Sequence, residues 1–294
     1  MTDSSKQNFH QQLNRWLDQK EEQAALIPLI RQIRQEHPHM SARLMYKKLC
    51  PNTMGRDKFE VFCFENGFKV TCPRDYRRTT DSSGVERFPN LIEGRELTGV
   101  NRVFVSDITY YEMNNKFSYI TFIMDLYTRE VVGYSKSKSL RTAETTIPAI
   151  KMLSRNIGPD ELEGAIFHSD GGGQFYCKEF LALTATLKMK NSMAKLVYDN
   201  SHAERLNGII KNDYLIPYGP QNDAQLGLDL TRAIRNYNTG KPHGSLGGMT
   251  PAEFRKSNSN KPLYIKKITT TIEIENNSSS YFPTSTVQHH QQYV

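Results

Sequence analysis

Val103-Phe104-Val105-Ser106-Asp107-Ile108-Thr109-Tyr110 decides how this chain is read, because an apolar β-branched and aromatic run ends there on an acid. Working outward, Tyr119 to Met124 and Val131-Val132-Gly133-Tyr134 have the same strand-forming composition, with a turn around Thr128 to Glu130 between them. Three closely linked strands are expected. Downstream, Thr142 can cap a helix carrying Ile147, Ile150 and Leu153, after which Gly164-Ala165-Ile166-Phe167 is expected to be a buried strand. A helix from Lys178 to Leu187, a short strand from Met189 to Met193 and a helix from Ser201 complete the run.

The order β-β-β-α-β-α-β-α predicts an α/β fold of the ribonuclease-H-like kind, a mixed five-stranded sheet with flanking helices. Ahead of it, Leu26, Leu29, Ile30 and Ile33 recur at the spacing of one helical face. After His37-Pro38-His39, Ser41 can cap a second helix through Cys50. A third is expected from about Arg56 to Asn66, with Gly67 at its C-terminal end. These helices fit either a helix-turn-helix unit that presents Arg56 and Lys58 to DNA or a plain three-helix bundle. The expected division is a helical helix-turn-helix domain over residues 1–78, a basic linker over 79–99, the catalytic α/β domain over 100–257 and a loosely ordered C-terminal extension over 258–294.

Bulk properties narrow the functional classes. No window of the 294 residues approaches the roughly 20 apolar residues of a membrane span, and no signal-peptide core follows Met1, so a cytoplasmic protein without membrane partners is expected. The net charge of +7 permits nucleic-acid binding without establishing it, since 16 Lys and Arg stand against 13 Asp and Glu in the first hundred residues. Cys50, Cys63, Cys72 and Cys177 form no close chelating pair. Buried free thiols are therefore preferred to a zinc site built with His37 and His39.

The chemistry-bearing residues are acids. Asp107 is placed directly after the first strand, and Asp170 after the fourth, in Ile166-Phe167-His168-Ser169-Asp170-Gly171-Gly172-Gly173-Gln174. If those strands lie side by side, the two carboxylates converge at one sheet edge, where a hard cation must offset their repulsion. Glu204 falls in the first turn of the next helix and can complete an oxygen-only set suited to two Mg²⁺ or Mn²⁺ ions. Lys211, seven residues later, lies on nearly the same helical face and can hold a phosphate; Arg205 is a further candidate DNA contact. Each acid also has a structural reading. Strand-end aspartates stabilise turns, Ser201-His202-Ala203-Glu204 has the pattern of a capping box, and Lys211 can be a solvated helix charge. The glycines 171–173 match neither common phosphate-loop pattern and are taken as a turn.

Several stretches together resemble the DDE transposases of the retroviral integrase superfamily, and most closely the second-reading-frame transposase of the insertion sequence 3 family. They are Val105-Ser106-Asp107-Ile108-Thr109-Tyr110, Met124 to Tyr134, His168-Ser169-Asp170 through Phe175, Asp199-Asn200-Ser201-His202-Ala203-Glu204, and Tyr237-Asn238 with Leu246 to Phe254. The resemblance covers about residues 25–255, Ile33-Arg34-Gln35-Glu36-His37-Pro38 included. It implies an integrase catalytic core in which Asp107, Asp170 and Glu204 bind the catalytic metals. It further implies cutting at element ends and joining of the 3′-hydroxyl to double-stranded DNA. The implied partners are the terminal repeats and target DNA, the element's first-frame protein, and further copies of the chain on DNA, in a bacterial cytoplasm. Thirty-three residues separate Asp170 from Glu204 (204 − 170 − 1), two fewer than the family's customary interval. Gly171 and Tyr198 stand where the family commonly has Arg and Trp. A nuclease of this fold without strand transfer, or a non-catalytic DNA-binding descendant, are the competing readings.

Overall fold

The computed structural model describes residues 6–70, 88–195, 197–258 and 266–267, with only the backbone described at 197, 198, 266 and 267. Three helices come first: α1 (Lys6–Glu36), α2 (Ala42–Leu49) and α3 (Arg56–Glu65). Helix α1 is far longer than the Leu26 to Glu36 stretch that periodicity marks. Its first half is polar and exposed apart from an apolar stripe, and only Leu26, Ile30 and Ile33 are buried. They pack on Met45, Phe59 and Phe62 in a separate small core. Ser41 caps α2 through Leu44 N–H, and Gly67, in the left-handed region at φ 77°, follows the end of α3 as expected. Cys63 is buried, but Cys50 is exposed, which corrects the expectation of uniformly buried thiols; Cys72 lies outside the described residues.

The expected linker is described only from Phe88 onward, and that part is structured. Ile92 and Leu97 are buried in the main core. Glu96–Leu97 forms β1, which pairs antiparallel with β7 (Lys266–Lys267), so two residues of the C-terminal extension run beside it. The rest of that extension past Asn258 lies outside the described residues.

The central sheet contains β2 (Val103–Met113), β3 (Lys116–Asp125), β4 (Val131–Ser137), β5 (Ile166–Ser169) and β6 (Lys190–Met193) in the spatial order β4-β3-β2-β5-β6. The first three are antiparallel, whereas β5 and β6 run parallel to β2. Strand β2 continues eight residues past Val105. Met113 pairs with Lys116 across Asn114 and Asn115, both at positive φ (52° and 58°), as a two-residue hairpin turn of type I′ requires.

Alternation along the strands sends residues to two cores. Phe104, Ile123 and Phe167 face α4 (Thr146–Ile157) and α5 (Lys178–Thr186), while Val103, Val105 and Phe122 face the helices that follow β6. Helix α4 begins at Thr146 and not at Thr142, whose carbonyl instead closes a turn with Thr145 N–H and Ile147 N–H. It lies so close to the sheet that a Cβ on Gly133 would stand 2.6 Å from the Ala149 carbonyl oxygen. On the other face, α6 (Ser201–Ile209) passes through a π-helical segment at Ile210–Leu215 into α7 (Ile216–Tyr218). Helices α8 (Asp223–Gly240) and α9 (Pro251–Asn258) then close the layer.

Two buried polar clusters fasten the parts. The Asp125 carboxylate, fully buried at the end of β3, accepts from Asn101 N–H, Tyr127 N–H and Arg255 Nη2 at 3.1, 2.9 and 3.0 Å. The same arginine binds Glu130 and Asn101 Oδ1. At the helical unit, His37 Nδ1 meets the Tyr214 hydroxyl at 3.0 Å, and the Glu36 carbonyl accepts from Tyr218 and Asn236. The helical unit is thus held against α7, α8 and the π segment. Removing one partner of a buried ion pair strands the other charge and costs roughly 3–5 kcal/mol. Arg255→Ala is therefore expected to lower the urea-unfolding free energy by about that amount. Adding Asp125→Asn, which removes the stranded charge, should restore part of it.

Candidate active site

Register brings the two aspartates together. In the parallel pair, Ser106 partners Ser169, the last residue of β5, so the next residues along, Asp107 and Asp170, are neighbours on the same face of adjacent strands. Asp107 does not follow its strand, as the sequence suggested, but lies within it. Pairing to β3 continues beyond it (Asp107 with Phe122), and only the β5 side stops. That one-sided end opens the edge.

Helix α6 is anchored onto this edge by two asparagines. Asn200 Nδ2 donates to the Ser106 carbonyl at 3.1 Å, and Asn207 Nδ2 donates to Asp107 Oδ2 at 2.8 Å. Glu204 lies between these anchors, one turn before Asn207. The helix begins at Ser201 with Asn200 at its cap position, so Ser201 is not the cap residue of a Ser-x-x-Glu box, and no side chain caps this end. Glu204 is left exposed, with its carboxylate free of the helix start. Asp199, the other acid of this stretch, accepts Lys195 N–H at 3.0 Å and closes the preceding loop. Neither asparagine was singled out from sequence. Asn207 left one signal, a poor helix former inside a helix, three residues after an acid.

The electrostatics are those of an uncompensated acid cluster. Burial pushes the Asp107 carboxyl up to about 8, helped by the charges of Asp170 and then Glu204, against hydrogen bonds from Ile108 N–H and Asn207. Burial also raises Asp170, against a hydrogen bond from Gly172 N–H. Glu204 is raised by burial and by the charge of Asp170. No lysine or arginine figures among these causes. Lys211 Nζ sits 5.2 Å from the centre of the Tyr110 ring, a cation–π contact. An all-oxygen donor set with excess negative charge fits a hard divalent cation. Among the described residues, no three His, Cys, Asp or Glu side chains are close enough to hold an ion as they stand.

The other sequence candidates are dispersed. Arg56 pairs with Asp57 at 2.8 Å on the surface, and Lys58, two residues on, faces the groove between α1 and α3. One α3 face does not present both. Arg205 is exposed beside Glu204.

Residues 98–196 and 187–251 match two families, each described as an integrase core domain. The chain is 31% identical over 208 residues to the uncharacterized 31 kDa protein of insertion element IS600 from Shigella sonnei, covering 69% of this chain and 75% of that protein. It belongs to the DDE transposase and integrase superfamily. Other relatives of this DDE chain include the transposase for insertion sequence element IS629 of Shigella sonnei, 30% identical over 53% of this chain and 52% of that protein. Transposase InsF for insertion sequence IS3A of Escherichia coli is 26% identical over 55% of this chain and 56% of that protein. A chain of the simian T-cell lymphotropic virus intasome, solved in complex with PP2A regulatory subunit B56 gamma, shares the fold at a TM-score of 0.50. It is 19% identical and aligns over 63% of this chain and 64% of its own. As a member of this superfamily the protein is a polynucleotidyl transferase with a ribonuclease-H-like core.

A titration consequence follows from Asp107. Its folded value of about 8 lies above the reference value of 3.8, so the group favours the native state fully below the lower value. That contribution is lost as pH rises through the upper one. Asp107→Asn removes the charge and keeps an acceptor for Ile108 N–H, while the unpartnered Asn207 Oδ1 can turn to accept from the new amide. In EDTA at pH 8 the variant is expected to melt higher than wild type, by about 2–4 °C per kcal/mol recovered. The gap should close near pH 4. A variant that melts lower at pH 8 would show that the carboxylate is stabilised in some other way.

Proposed function

We propose that Asp107, Asp170 and Glu204 hold two Mg²⁺ or Mn²⁺ ions and that the chain cuts DNA at the ends of an insertion sequence and joins the freed 3′-hydroxyl to target DNA. The observation that carries this is the Ser106–Ser169 register, which sets two acids side by side at an open sheet edge with a third acid on the helix above. When bound, such ions activate a water or a 3′-hydroxyl and neutralise charge on the leaving oxygen. The protein's share is positioning. Asn207 fixes the Asp107 carboxylate, Asn200 fixes the helix start, and the exposed Glu204 turns inward to complete the donor set. Lys211 is within reach of the same edge through its place over Tyr110 and contacts a DNA phosphate.

The named transposase relatives support double-stranded DNA as substrate, with element ends and target as its two forms. The helical unit, including Arg56 and Lys58, contributes DNA binding. Two synapsed ends call for more than one copy of the chain, and the element's first-frame protein is the further partner. A bacterial cytoplasmic setting accords with these relatives.

The test combines purified protein, labelled element-end duplex and target plasmid with Mg²⁺. Asp107→Asn should lose joining by about 10³-fold or more, as expected when several kcal/mol of metal stabilisation disappear. EDTA should abolish both nicking and joining. Asn207→Ala, which frees the Asp107 carboxylate but leaves all three acids, is expected to lose about 10–100-fold. Wild-type joining by Asp107→Asn would sink the metal-site assignment, and nicks without joined products would reduce the activity to hydrolysis.

A further inference from the structure

A second cluster of charge lies beyond the carboxylates and is basic. Arg129 occupies the turn between β3 and β4, Arg205 follows Glu204 on α6, and His243 lies just past α8. All three lie near the buried Tyr237. The His243 ring stands edge-on to Tyr237 at 4.9 Å between centroids, and both guanidinium groups act on that tyrosine through their charge. Arg129 adopts a left-handed backbone, φ 63°, held by its N–H bond to the Asp125 carbonyl at 2.8 Å. Arginine is uncommon there, so the turn fixes where its side chain enters the protein.

Two donors of this cluster are unfilled. Arg129 Nη1 and His243 Nε2 are both buried without a hydrogen-bond partner, and the exposed Arg205 makes no ion pair with any of the described residues. Asp125 acts on Arg129 through its charge but makes no hydrogen bond to it among the described residues, because its carboxylate is taken by Arg255 Nη2, Asn101 N–H and Tyr127 N–H. Lys241, the other cation nearby, is already bound to Asp213 at 2.6 Å. A buried guanidinium keeps its proton, so an unpaired one is costly unless an anion reaches it.

We infer that Arg129, Arg205 and His243 form a binding site for one phosphate of the DNA backbone, next to the carboxylate cluster. Arg129 supplies a fixed fork, Arg205 a mobile charge from the solvent side, and His243, as its Nε2–H tautomer, a third donor. The choice of DNA over a free anion rests on the proposed function. Arg205 is one residue from Glu204, so a strand whose reacting phosphate lies at the acids continues past α6.

Full-length wild type, Arg129→Gln, Arg129→Lys, Arg205→Gln and His243→Gln are compared for binding to a labelled duplex by fluorescence anisotropy across a salt series. The measurements are made in EDTA, with the melting temperature of each protein taken in the same buffer. Each Arg→Gln variant is expected to reduce the slope of log K against log salt by about 1. Arg129→Lys should restore the slope but not the full affinity, since lysine lacks the fork. His243→Gln should weaken binding with little change in slope. If Arg129→Gln melts early, the exposed Arg205→Gln and the charge-keeping Arg129→Lys decide the matter. An unchanged slope in Arg205→Gln overturns the assignment. So does inorganic phosphate that raises the wild-type melting temperature, but not that of Arg129→Lys, while every DNA slope stays the same; the site would then take small anions only. Because binding is read without metal, joining by Asp107→Asn would refute the carboxylate assignment independently of this result.

Discussion

The short parallel pairing of β5 with β2 is the constraint on which the rest depends. Four residue pairs, from Val103 with Ile166 to Ser106 with Ser169, set the register. A slip of one residue would turn Asp170 to the opposite face from Asp107. The pairing is secured by Phe104 and Phe167, almost fully buried against α4 and α5, each contributing on the order of 1.5–3 kcal/mol by burial. Since β5 stops where β2 goes on, the acids stand at an edge with backbone on one side only, and α6 can lie over it. Phe104 and Phe167 lie on the face turned away from the acids, while Val103, Val105 and Ile166 pack on the face that carries them.

The helix above the acids is gripped along its length. Asn200 and Asn207 tie α6 to β2, the Tyr111 hydroxyl donates to the Leu215 carbonyl, and Tyr214 in the π segment meets His37 of the helical unit. A Cβ on Gly240 would stand 2.4 Å from His37 Nε2, so this contact leaves no slack. Displacing the helical unit would therefore disturb the same helix that carries Glu204. The two halves of the chain are mechanically coupled through one helix. The wider turn at Ile210–Leu215 places Lys211 over Tyr110, off the straight helical line that a seven-residue spacing assumes.

The order of the core elements was legible because composition changes sharply at each of them, and Asp170 could be placed because its strand is buried and short. Asp107 was misplaced for a physical reason. Its apolar run ends at Val105 because one edge of the strand becomes open, while the backbone continues into a hairpin whose outer half is half-exposed and without clear periodicity. The Asn114-Asn115 turn was readable in principle, as asparagine tolerates positive φ. Glu204 carried two readings that local sequence alone could not separate, and helix phase removes the capping one: with the cap at Asn200, the box falls out of step. The start of α1 was missed although Phe9, Leu13, Trp16 and Leu17 recur at helical spacing, and this stripe stays exposed in the helix. Arg56 and Lys58 looked like a pair only while their helix was a list of letters; two residues apart, they point to different sides.

Charge placement around the acids has its own logic. A lysine or arginine bound directly to Asp107 or Asp170 would relieve the repulsion that lifts their carboxyl groups, but it would also occupy the oxygens a divalent ion needs. Three other cations are instead engaged elsewhere. Lys211 lies over an aromatic ring, Lys241 is bound to Asp213, and Arg255 is spent on Asp125. Asp125 is thus a fully buried acid whose job is structural, while the exposed Glu204 is left without a cation partner among the described residues. Burial alone does not identify the acids available for chemistry. What separates Asp107, Asp170 and Glu204 from Asp125 is that, among the described residues, no cation has claimed their carboxylates.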